Sequence, residues 1–194
     1  VGVALSRESI ERLCLAMRYL YVKGLITSLS GNVSIKLSDE KIAITPSRMV
    51  KFLLKPEDIS IVAMDGTHLA GPRPSIETGM HLAVYRNCAE CKSVAHVHGL
   101  FAPILAGILD PFLDMELRAF NVKTCYVSEL PPGSKELADS VGEAVARGCL
   151  GVILKNHGIV GAGRSLGEAI EVVEAIENSF KKSLVIRLLG LFRS

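Results

Sequence analysis

The stretch "GNVSIKLSDEKIAITP", residues 31–46, carries the reading that decides the fold. Apolar and polar residues alternate in "GNVSIKLSD" and again in "KIAITP", with a polar turn between them, as in a hairpin with one buried face. Two strands joined by so short a turn run antiparallel, because parallel neighbours need a crossover of roughly a dozen residues or more. "ISIVAMDG" followed by "THLAG" (59–71) reads as the next strand and turn. Upstream, "SRESIERLCLAMRYLYVKGL" (6–25) opens on Ser6, carries Glu8 and Glu11 in its first turns, and spaces Ile10, Leu13, Leu15, Met17 and Leu20 as a helix would before stopping at Gly24.

After Pro74 the pattern changes. "SIETGMHLAVYRNC" (75–88) predicts a helix capped by Ser75 with Glu77 near its N-terminal end, and "KSVAHVHG" (92–99) a strand. "FAPILAGIL" reads as a short helix, "TCYVSEL" as a strand, and "SKELADSVGEAVARG" (134–148) as an amphipathic helix. "CLGVILKNHGIVGAG" (149–163) reads as a strand ending in a glycine-rich turn, before the long helix of "SLGEAIEVVEAIENSFKKSLVIRLLG" (165–190). Hairpins first and strand–helix alternation afterwards predict a single-domain α/β/α sandwich over residues 1–194, with a mixed, mainly antiparallel central sheet.

With 194 residues, 49% hydrophobic and 22% charged, the chain is long enough for one well-filled core. A net charge of +2 without a basic stripe gives no footprint for nucleic acid. "LVIRLLGLF" is too short and too charged to span a membrane, and the first helix lacks the layout of a signal peptide, so a cytoplasmic protein is expected. Cys14, Cys88, Cys91, Cys125 and Cys149 are odd in number and sit mostly in apolar contexts, the usage of free buried thiols rather than a disulfide framework.

The chemistry centres on histidines. On a strand, residues i and i+2 share a face, so His96 and His98 either chelate one cation or divide into one core and one surface imidazole. His157, at the end of an apolar strand and followed by Gly158, adds a third imidazole, and Glu77 adds a carboxylate. Three His and one Glu form a set for Zn²⁺ or a similar divalent ion. His81, four residues after Glu77, is either a further ligand or a supporting residue, and His68 reads as solvent-facing.

Five motifs in order, "SGNVS" (30–34), "ITPS" (44–47), "RPSIE" (73–77) followed by His81, "HVH" (96–98) and "NHG" (156–158), resemble the class II aldolase/adducin family. The resemblance implies an α/β/α homotetramer with Zn²⁺ held by His96, His98 and His157, and with Glu77 as both metal neighbour and catalytic acid/base. It also implies anion-side loops offering Ser30, Asn32, Ser47 and Ser75. The family commonly reads T-x-G-N, T-P-[ST]-G and P-S-S-E there, whereas this chain has Leu29, Arg48 and Ile76 at the variable points. Arg48 either meets the substrate's anion or points to solvent. The tyrosines of the family's aldolases have no counterpart, and Asp114 or Glu116 is the candidate acid/base reaching across a subunit boundary.

The function expected is cleavage of L-fuculose 1-phosphate, or a similar ketose 1-phosphate, to dihydroxyacetone phosphate and an aldehyde, with Zn²⁺ stabilising the enediolate. Family alternatives are a ribulose 5-phosphate 4-epimerase, a methylthioribulose 1-phosphate dehydratase and a decarboxylase. An adducin-like interaction domain is the non-catalytic alternative.

Overall fold

A computed structural model describes residues 2–113, 118 and 122–190. Helix α1 (Gly2–Val22) leads into β1 (Asn32–Lys36), β2 (Lys41–Ile44), β3 (Ser60–Ala63) and β4 (His68–Ala70), the antiparallel run that the 31–46 stretch announces. There follow α2 (Thr78–Asn87), β5 (Ser93–Val97), α3 (Ala102–Leu105), β6 (Thr124–Val127), α4 (Lys135–Ala146), β7 (Gly151–Leu154), β8 (Gly158–Gly163) and α5 (Leu166–Leu188). The strands form one sheet in the order β4-β3-β2-β1-β5-β8-β7-β6. Among the described strands only β6 and β7, connected through α4, pair in parallel, so the sheet is mixed and mainly antiparallel.

Alternation along the strands makes the three layers. Val33, Ala43, Ala95, Val97, Ile153 and Ile159 pack with α1 and α5 through residues such as Leu13, Met17, Val173 and Phe180. Their neighbours Ile42, Ile44, Val94, Val152, Leu154 and Val160 pack on the opposite face with α2 and α4 through Met80, Val84, Leu137 and Val141. A fully buried Phe such as Phe180, at 0% exposure, is worth about 3–5 kcal/mol against truncation to Ala.

Two expectations are corrected. Residues 158–163 are a strand, not a turn: β7 and β8 form a hairpin about Lys155–His157, and the glycines of β8 let α5 approach. A Cβ on Gly161 would lie 2.4 Å from the carbonyl oxygen of Ala169. Nor are the thiols all free. Cys88 pairs with Cys91 and Cys125 with Cys149, at Cα separations of 5.4 and 5.8 Å, and only Cys14 stays unpaired among the described residues. Odd count and apolar context hid this, since α4 lies between Cys125 and Cys149 in the chain while the β6–β7 pairing unites their ends.

The Cys125–Cys149 bridge closes a loop of 24 residues, so removing it should cost about 3 kcal/mol. Urea unfolding of Cys125→Ser/Cys149→Ser should show that loss, and a reductant should lower the wild-type midpoint by a similar amount. An unchanged midpoint in both would mean that the bridge does not form.

Candidate active site

The β5 strand carries His96 on its α2 face, and the next residue of the same parity, His98, follows just beyond the strand end. Register places Asn32 of β1 opposite His96 on one side and Val160 of β8 opposite it on the other. His157 arrives from the β7–β8 turn, where Asn156 takes a left-handed φ of 57°. That turn is pinned, since the Asn156 backbone N–H donates to the Pro103 carbonyl at 3.0 Å and its side-chain amide to Glu129 at 2.6 Å. Gly158 allows the close approach: a Cβ there would lie 2.3 Å from the Val97 carbonyl oxygen and 2.8 Å from His96 Cε1.

The result is a triangle of imidazoles. Ring centroids of His96, His98 and His157 stand 4.9, 4.9 and 5.1 Å apart, and one nitrogen from each falls within 4.8 Å of the others. His96 Nδ1–H donates to the Ile159 carbonyl at 3.1 Å, which leaves the lone pair on Nε2. That Nε2 is buried without a hydrogen-bond partner, and so are His157 Nδ1 and Glu77 Oε2. Buried polar atoms are normally satisfied, so orphans clustered on two of the imidazoles and a carboxyl, with His98 alongside, fit a divalent cation as the partner.

Electrostatics agree with this reading. Burial pushes His96 well below the ordinary imidazole range, with the neighbouring imidazoles adding to the effect. It brings His98 down to about 4, and it lowers His157 as well. Burial raises the Glu77 carboxyl, while a hydrogen bond from the Gly133 backbone works weakly the other way. Glu77 Oε1 lies 3.7 Å from His157 Nε2, yet burial disfavours the charge on both groups, so the contact is not a strong ion pair. Neutral imidazoles are the form that binds metal.

Several residues that the sequence reading passed over hold this arrangement. Glu177 of α5 is 6% exposed and accepts hydrogen bonds from the backbone N–H groups of Leu100, Phe101 and Ala102 at 2.6, 2.8 and 2.9 Å. It thereby fixes the chain as it leaves His98. Gly99 is required there, because a Cβ would meet Glu177 Oε2 at 2.4 Å. The signal was available: Glu177 lies on the same apolar stripe as Val173 and Phe180, and a carboxylate at a core position needs partners.

The anion-side candidates sit on loops that are strapped together. Ser47 N–H donates to the Arg73 carbonyl at 3.0 Å, and Pro46 bridges Pro74. Ser75 Oγ accepts from the Glu77 N–H at 3.2 Å, so Ser75 shapes the entry to α2. Ser30 Oγ accepts from the Thr27 N–H at 2.7 Å. Asn32 is 5% exposed, and its Oδ1 meets His81 Nε2 at 2.6 Å. Lys51, also unforeseen, is 2% exposed; its N–H donates to the Ser28 carbonyl and its Nζ to the Pro46 carbonyl, joining the 28–31 and 45–48 loops. Burial brings its amine down to about 8.

Arg48 is exposed and holds a φ of 57°, the conformation that glycine takes without strain, which accounts for the family's usual glycine at this point. His68 is exposed on β4, and His81 has both ring nitrogens engaged and is no ligand of the cluster. Asp114 and Glu116 lie outside the described residues.

A three-layer sandwich with three imidazoles gathered from one strand end and one hairpin turn defines an α/β/α domain with a candidate metal site. The family pattern of the Class II Aldolase and Adducin N-terminal domain matches residues 11–184, and the chain belongs to this family, as an enzyme of the class II aldolase superfamily. It is similar to the L-fuculose phosphate aldolase of Methanococcus maripaludis, 34% identical over 174 residues that cover 88% of this chain and 93% of that one. It is also similar to the 3-oxo-tetronate 4-phosphate decarboxylase of Escherichia coli, 32% identical over 189 residues covering 93% and 86%. Among solved structures, YgbL of Escherichia coli, which carries the composite description aldolase/epimerase/decarboxylase, superposes with a TM-score of 0.85 at 30% identity, covering 94% of this chain and 91% of that one.

The histidine shifts predict how the metal-free protein responds to acid. Because the folded value of His98 is about 4 against 6.5 for a free imidazole, the unfolded chain takes up a proton first as the pH falls. The stabilisation is therefore full above pH 6.5 and is lost toward pH 4; Glu77, shifted upward, contributes with the opposite sign. Urea unfolding of chelator-treated protein should give a lower midpoint at pH 5 than at pH 7, and His98→Asn should reduce the difference, with His96 and His157 supplying the remainder. A midpoint that is level across this range in the wild type would contradict the burial of these imidazoles.

Proposed function

We propose that the chain is a divalent-metal-dependent lyase that cleaves L-fuculose 1-phosphate, or a similar ketose 1-phosphate, to dihydroxyacetone phosphate and an aldehyde. The observation that carries this reading is the meeting of three neutral imidazoles with a buried carboxyl, Glu77, 3.7 Å from one of them. His96, His98 and His157 would hold the ion, and Zn²⁺ suits nitrogen donors of this kind. Once bound, the ion supplies Lewis-acid stabilisation of the negative charge that develops on the substrate's oxygens.

The chain's own groups do the rest. Glu77, whose proton affinity is raised by burial, takes the proton of the hydroxyl on the carbon that becomes the aldehyde. The carbon–carbon bond then breaks, its electron pair stays with the three-carbon phosphate fragment, and Glu77 returns the proton to the carbon of that fragment that keeps the pair. Ser47, Ser75, Asn32 and Arg48, with the turn at Ser30, form the side toward the phosphate. A cytoplasmic homotetramer belongs to the same proposal. The exposed apolar residues Leu100, Ile104, Ile108, Leu113 and Tyr126 support self-association, and Asp114 or Glu116 would then act across the subunit boundary.

A second reading, decarboxylation of a phosphorylated 3-oxo acid, is favoured by the 32% identity to the 3-oxo-tetronate 4-phosphate decarboxylase. The same site would serve, because loss of carbon dioxide also leaves an electron pair on a carbon beside a carbonyl. Product analysis separates the two, since one releases an aldehyde and the other carbon dioxide.

Glu77→Gln keeps the size of the side chain and removes the base. It should lower kcat by about 10²-fold or more on whichever substrate is turned over, while bound metal measured by elemental analysis stays at the wild-type level. Turnover that survives the substitution would exclude Glu77 as the acid/base.

A further inference from the structure

His81 is fully buried one helical turn after Glu77, and the chemistry above gives it no task. Both of its ring nitrogens are used. Nδ1 lies 2.7 Å from Ser34 Oγ and Nε2 lies 2.6 Å from Asn32 Oδ1, while Ser34 Oγ is also 2.7 Å from the Tyr85 hydroxyl. Asn32, Ser34, His81 and Tyr85 are exposed by 5, 0, 0 and 3%, so water does not compete for these bonds.

We propose that His81 is a positioning residue, the last link of a one-way hydrogen-bond relay that locks the Asn32 carboxamide with its N–H₂ group free for the phosphate or carboxylate end of the substrate. The direction follows from the near end. Asn32 Oδ1 can only accept, so His81 Nε2, 2.6 Å away, carries the single proton of the neutral ring and donates it. His81 Nδ1 then accepts the Ser34 hydroxyl hydrogen, which leaves the Ser34 oxygen to accept from the Tyr85 hydroxyl. The amide oxygen is thus occupied, and Asn32 faces its ligand as a donor only. It welcomes an anion and offers nothing to a cation or a neutral hydroxyl's hydrogen. Asn32 is also the cross-strand partner of His96, so an amide held here is held at a fixed offset from the metal cluster. The inference rests on the proposed function to the extent that the ligand's anionic end sits beside Asn32.

The test reads binding of inorganic phosphate to the metal-loaded protein by calorimetry, together with KM and kcat on the substrate that is turned over. Ser34→Ala and Tyr85→Phe interrupt the relay without touching the anion, and His81→Phe removes it. His81→Gln restores a donor to Asn32 Oδ1. Ser34→Ala and His81→Phe should each weaken phosphate binding and raise KM by about tenfold, with kcat changed much less, and His81→Gln should recover part of the loss. In an Asn32→Ala background, Ser34→Ala should add nothing further, because its effect passes through Asn32. Nitrogen chemical shifts of the His81 ring should report the proton on Nε2. A proton on Nδ1, equal phosphate affinity in wild type and Ser34→Ala, or equal loss in kcat with KM unchanged would overturn the relay. Failure of the wild type itself to bind phosphate would instead overturn the functional reading and this inference with it. Should His81→Phe not fold, Ser34→Ala and Tyr85→Phe decide alone.

Discussion

The approach of the β7–β8 turn to β5 is the contact on which the site depends. At Gly158 the two segments come so close that any Cβ would overlap the Val97 carbonyl and the edge of the His96 ring. A side chain there would have to push the turn outward, and His157 would leave the triangle with it. The antiparallel β5–β8 ladder, with His96 opposite Val160 and Val97 opposite Ile159, holds the approach from below, and the glycines of β8 let α5 close over the other face. Sheet packing, not local propensity, therefore sets the spacing of the three imidazoles.

Around this contact the protein buries several polar groups and satisfies most of them. An unsatisfied buried donor or acceptor costs about 1–3 kcal/mol, so each pairing is a constraint as well as a stabilisation. Glu177 takes three backbone N–H groups and fixes the path after His98. Lys51 ties together two of the loops on the anion side, and His81 orients Asn32. The orphaned atoms on His96, His157 and Glu77 stand out against that background. Gathered in one place, they are the atoms that the proposed cation would engage, and the depressed imidazoles favour the neutral, ligand form near neutral pH.

Much of this was legible in the chain. The alternation across residues 31–46 predicts the antiparallel start of the sheet, and the i, i+2 spacing of His96 and His98 predicts a shared face. His157 and Glu77 were candidates by residue type, the family resemblance joined them to the pair, and the fold brings them beside it. Three features were hidden for physical reasons. The hairpin at Lys155–His157 is masked because both of its arms are apolar and rich in glycine, and its turn rests on Asn156 in a left-handed conformation. The Cys125–Cys149 bridge depends on a parallel pairing that no local pattern reports. Glu177 and Lys51 act through long-range contacts, and their one local sign is a polar residue at a position where the helical or loop pattern calls for burial. His81, by contrast, was readable as a supporting residue from its place four residues after Glu77, and only its partners were not.

The central claim is that the β5 end and the β7–β8 turn together form one three-imidazole cation site. X-ray absorption spectroscopy of the protein reconstituted with Zn²⁺ tests it most directly. The account predicts one ion per chain with a nitrogen shell at about 2.0–2.1 Å that includes three imidazoles, and loss of one imidazole from that shell in His157→Ala. An ion surrounded by oxygen alone, or a shell unchanged by His157→Ala, would contradict it.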